Sequence, residues 1–169
     1  MQMAGNKHTI HRFDDELNEI ANLVDKMGVI SVNQLRRAVK SLKKENPVSA
    51  HKVINRDRKL NALEVETDDK IIQLIAKRAP VAGDLRQIIT LGKVVTDLER
   101  TGDEARKIAG LCVRFYETDH HSPGDHILRD IFSMSKYVGN MLEIAMEAFS
   151  RLNVEQAFGV LRMDEELEV

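Results

Sequence analysis

Acidic side chains recur at helical spacing in two stretches of the chain. Asp57, Asn61, Glu64 and Asp68 are four, three and four residues apart, so on a helix all lie along one face. Glu99 and Asp103 repeat the four-residue step. Carboxylates one turn apart sit within about 6 Å of each other and repel unless a cation or a basic side chain lies between them. A single such pair is ordinarily a solvated helix face. Pairs brought level on neighbouring helices form instead a candidate cation site, and oxygen-only ligands suit Mg²⁺, Mn²⁺ or iron better than a closed structural zinc site.

Other constellations carry less chemistry. His120 and His121, flanked by Asp119, Asp125 and His126, fall in a polar stretch with a Pro-Gly pair that reads as a linker. Only Glu117 to His120 has the Glu-x-x-His form of a di-iron helical bundle, and it lies in that same stretch. No nucleophile elbow, glycine-rich phosphate loop or triad pattern is present, so no catalytic residue is assigned and the chain is not expected to be an enzyme. Cys112 is the only cysteine, which excludes an internal disulfide and a thiolate zinc site and is compatible with a reducing compartment.

The elements that must position the acids are helices. Apolar residues at 3.6-residue spacing mark a long first helix from Phe13 to Leu42, with an interruption at Gly28 to Ser31. Asn46 and Pro47 make a turn and a first-turn proline, opening a second helix that ends near Arg78. Pro80 can open a third, running to about Tyr116. A fourth helix covers Ile127 to Phe149, and a fifth starts near Val154. With no strand pattern and only 4% aromatic residues, an all-α fold with an aliphatic core is expected. The divisions are a first three-helix bundle over 1–117, a linker over 118–126 and a partial second bundle over 127–169.

Helices two and three are antiparallel about the turn at Arg78 to Pro80 and rise equally, about 1.5 Å per residue. Asp57 then faces Asp103 and Asn61 faces Glu99, near the bundle end remote from the turn. Asp57, Asn61, Glu99 and Asp103 are the first-choice ligands. Glu64 and Asp68 are second-choice, because the same register sets Asp68 beside Lys93. Gly102, next to Asp103, allows close approach.

The chain also repeats itself. An offset of 107 positions aligns Leu35 with Leu142, Ala38 with Ala145, Asn46 with Asn153, Val53 with Val160 and Asp57 with Asp164, without a gap. On this reading the second copy stops early. A helix pair with one uncovered apolar face is expected to borrow a surface by forming a homo-oligomer.

Charge and hydropathy narrow the partners. A net charge of -2 gives no basic field for nucleic acid, and no apolar run approaches the roughly 20 residues a membrane span needs. No signal-peptide core precedes Asp15, so the cytoplasm is the expected compartment.

The segment Ala76-Lys-Arg-Ala-Pro-Val-Ala-Gly-Asp-Leu-Arg86, with Lys93 and Asp97-Leu-Glu-Arg-Thr-Gly-Asp103, resembles the signature region of the PhoU family. The stretches from His11 to Leu17 and Asn55 to Glu64 are similar to the family's first and second helices. The resemblance implies tandem three-helix bundles, each with an acidic pair able to hold a metal ion or multi-metal cluster, iron ahead of zinc, manganese or magnesium. Its matching positions here are Glu99 with Asp103, Asp57 with Asn61, and Asp164 with Glu168. Asn61 departs from the acidic version, which lowers the expected affinity. The resemblance further implies negative regulation of phosphate uptake and of the phosphate-starvation response, between the ATPase of an ABC phosphate transporter and a membrane sensor histidine kinase, at the inner face of the membrane. A metal-independent helical interaction module is the alternative.

Overall fold

The computed structural model describes residues 4–118 and 123–167, with side chains from residue 12 onward. Helices α1 (Ala4–Lys43), α2 (Pro47–Arg78) and α3 (Ala82–Val113) pack on one another as an up-down-up bundle. A single π-helical turn, Arg114–Thr118, extends α3. Helix α4 (Asp125–Arg151) lies against α1, and α5 (Val154–Leu167) folds back on α4. Among the described residues no helix is long and apolar enough to cross a membrane.

Helix α1 is one long helix, as expected, and the gap in its apolar pattern has a local cause: the side chain of Met146 on α4 fills the space that a Cβ at Gly28 would take. Ser31 Oγ lies 3.0 Å from both Met27 O and Leu98 O, so its hydroxyl finds a carbonyl within the bundle. Pro80 does not open α3. Ala79 closes α2 in the left-handed conformation, φ 45°, and α3 begins at Ala82 after extended Val81.

The core has two parts. Toward the α2–α3 turn it is bulky, with Ile20, Met27, Leu63, Leu74, Ile88 and Leu91. Toward the other end small residues dominate, with Ala38, Ala50, Ala105 and Ala109 allowing the helices to come close. Arg78 at the end of α2 makes two 2.9 Å bonds to Glu16 of α1, a bidentate clasp that holds the Glu16 carboxyl below its usual range.

The α1–α2 and α4–α5 connections share one geometry. Glu45 and Leu152 both adopt the left-handed conformation, φ 50° and 51°. Asn46 N donates to Ser41 O at 2.9 Å, and Asn153 N to Ala148 O at 2.8 Å. Each Asn caps the next helix, accepting from Ser49 N at 2.9 Å and from Gln156 N at 3.0 Å. All these pairs stand 107 positions apart.

Candidate functional site: an acidic cluster between two helices

The small-residue end of the bundle brings α1, α2 and α3 together at Gln34, Asp57 and Gly102. A Cβ at Gly102 would run into Leu60 and come within 3.0 Å of Gln34 Oε1 and 3.5 Å of Asp57 Oδ1, so glycine there sets how closely the three helices approach. Asp57 is buried, with its Oδ2 3.2 Å from Arg106 Nε. The same guanidinium donates to Asp103 Oδ1 at 3.0 and 3.2 Å. The expected facing of Asp57 and Asp103 is therefore present, with Arg106 joining them.

One arginine does not neutralise what surrounds it. Burial, then the neighbouring charges of Asp103 and Asp57, push the Glu99 carboxyl above its usual range against the pull of Arg106. Burial and the charges of Glu99, Asp68 and Asp103 do the same to Glu64. Burial is the main cause of the upward shift at Asp57, where Arg106 opposes it. Asp57 Oδ1 and both amide atoms of Gln34 are buried without completing a hydrogen bond, although the amide favours the charged form of Asp57. An orphaned carboxylate oxygen beneath a crowd of mutually repelling acids is an arrangement a cation improves.

The other expected ligands fall out unevenly. Asn61 is exposed, and no hydrogen bond joins it to Glu99 among the described residues. Glu64, one turn further along α2, is half-buried and feels the charge of Glu99. Asp68 is exposed and forms no ion pair with Lys93. Asp164 is exposed on α5, whereas Glu168, His120 and His121 lie outside the described residues. Glu117 meets His51 at 2.8 Å. Among the described residues no three potential ligands are already gathered at metal-binding geometry. The donor set nevertheless fits a hard cation: Glu64 and Glu99 form no ion pair among the described residues, and Asp103 and Asp57 lie beside them on the single guanidinium of Arg106. Arg106 and Gln34 escaped the sequence reading. The available signals were the three-residue step from Asp103 to Arg106 and a glutamine on the inward face of α1.

The PhoU domain matches residues 24–111. The phosphate-specific transport system accessory protein PhoU of Escherichia coli strain K12 is 31% identical over 163 residues, which cover 96% of this chain and 66% of that protein. The chain thus spans just under two thirds of that relative's length. A PhoU homolog of Clostridium acetobutylicum is 32% identical over 157 residues, covering 92% of this chain and 70% of the relative. The crystal structure of PhoU from Pseudomonas aeruginosa superposes with a TM-score of 0.86 at 31% identity, covering 92% of this chain and 73% of that one.

Proposed function

The chain belongs to the PhoU family, and from that premise we propose that it is a regulatory adaptor of phosphate uptake whose acidic α2–α3 cluster holds a metal ion. The name of the relatives, accessory proteins of phosphate-specific transport, supports the first half. The observation that carries the second is the buried Asp57 Oδ1, which has no hydrogen-bond partner and lies in a cluster where Arg106 pairs only Asp57 and Asp103, leaving Glu64 and Glu99 without an ion pair among the described residues. Glu99 and Asp103 hold the cation with Glu64, Asp57 contributes from below, and Asn61 stands at the rim. Iron is the first choice, with manganese, magnesium and zinc as alternatives. When bound, the metal supplies positive charge and open coordination positions to which a partner's carboxylates can attach.

The adaptor acts between the ATPase of the phosphate transporter and the membrane sensor kinase, lowering the starvation response when phosphate is abundant. It is cytoplasmic, peripheral at the inner membrane, homo-oligomeric and not an enzyme. A rigid bundle fits this role, because partner binding shifts the kinase's conformational populations only through differential contacts. The test is a phosphate-starvation reporter in cells lacking their own copy of the protein. Expression of this chain should repress the reporter in high phosphate, and Glu99→Gln/Asp103→Asn should repress it less. A reporter that ignores the wild-type chain contradicts the regulatory reading. Equal repression by both proteins favours the metal-independent interaction module, in which Arg106 alone neutralises the acids.

A further inference from the structure

A groove of about 350 Å³ opens between α1 and α2 beside their connection. Five cations line it at helical spacing, Arg37, Lys40 and Lys44 from α1 and Lys52 and Arg56 from α2. No carboxylate lines it, Glu45 of the connecting turn included, and none of the five forms an ion pair among the described residues. In a chain of net charge -2 this is a local concentration of unneutralised charge whose self-repulsion an anion relieves.

The second hairpin provides an internal control. The offset of 107 carries Arg37 to Ile144, Asn46 to Asn153, Lys52 to Gly159 and Arg56 to Met163. All four of those residues line a groove of about 350 Å³ between α4 and α5. Arg37, Lys52 and Arg56 thus have uncharged counterparts, while Lys40 and Lys44 correspond to Glu147 and Arg151, and the second groove is lined by one cation, Arg162, and one acid, Glu155, against five cations and no acid in the first. Helix α5 also carries Glu155 in its first turn, at the position of Val48, while α2 has no acidic residue in its first turn. The positive end of α2 is thus left to another source of negative charge.

We propose that the α1–α2 groove binds a small ligand bearing multiple phosphate charges. Two guanidiniums, one on each helix, suit phosphate oxygens bidentately, and five positive charges match a diphosphate better than a single carboxylate. The volume is at the lower end of the range for small-molecule sites, which fits a compact anion. A soluble diphosphate and a lipid phosphate headgroup share this chemistry.

The experiment titrates pyrophosphate into the chelator-treated full chain by calorimetry at low ionic strength, and separately sediments the chain with phosphatidic acid vesicles. Circular dichroism and thermal unfolding verify that Arg37→Gln/Arg56→Gln and the control Arg151→Gln/Arg162→Gln are folded. Saturable binding of one pyrophosphate, weakened at least about tenfold in the first variant and unchanged in the control, is the expected result. Vesicle binding with the same dependence, and no response to pyrophosphate, assigns the site to a headgroup. Absence of both, or equal binding by wild type and the first variant, overturns the proposal.

Discussion

Asp57 shows how a buried acid changes meaning once its neighbours are known. In the sequence it is one of a row of acids on a helix face, and only the spacing 57, 61, 64, 68 distinguishes it from solvated surface. In the folded chain it is buried, joined to Arg106 by one oxygen and orphaned at the other. Gln34, 23 residues away on α1, comes beside the same Gly102 position as Asp57, and no local pattern announces it. The raised Glu64 and Glu99 carboxyls lie above the ordinary glutamate value of 4.5. Their contribution to stability is therefore fully present below that pH and lost as pH rises through the folded values. In metal-free protein, Glu64→Gln/Glu99→Gln should raise the unfolding midpoint at neutral pH, and the difference from wild type should vanish below about pH 4 in thermal unfolding series. A lower midpoint for the double variant than for wild type at neutral pH would mean instead that these acids are paired. Gly102→Ala should cost about 1–3 kcal/mol in chemical denaturation, because Leu60 already fills the site of the new methyl group.

At the scale of the element, periodicity located the helices, while their ends and contacts needed the fold. Asn46 followed by Pro47 marked the start of α2, and its capping bond is present. Pro80 misled for a physical reason: Ala79 turns left-handed, which leaves Pro80 in the connection rather than in the first turn of α3. The gap in the apolar pattern at Gly28 did not hide the one long helix, and only the fold shows that the missing side chain there makes room for Met146. The antiparallel register sets Asp57 level with Asp103, and Arg106 reaches both, but equal rise says nothing about which side chains turn outward, and Asn61 is exposed. Helix α3 carries both the cluster and a core contact one residue before Glu99. Leu98 is 3% exposed, and Leu98→Ala should destabilise the bundle by about 2–5 kcal/mol in denaturant titration.

Over the whole molecule, the repeat was legible because two asparagine-capped connections recur with the same backbone conformation. What identity at that offset does not reveal is how differently the copies are covered. The α1–α2 pair is packed against α3, whereas α5 has no buried residue and leaves Val154, Phe158 and Leu161 exposed, with Leu152 beside them at the end of α4. Backbone amides of α5 should therefore exchange with solvent at least about 100-fold faster than those of α3 near Leu98. Equal protection by hydrogen-exchange mass spectrometry would indicate that the apolar face is covered in solution. The α2–α3 cluster should take up a cation beyond Arg106. Plasma mass spectrometry of the purified chain, beside Glu99→Gln/Asp103→Asn, tests it most directly. Stoichiometric iron, manganese or zinc in wild type and its loss in the variant is the predicted result. No metal in either protein, after incubation with each ion and removal of the excess, would contradict it.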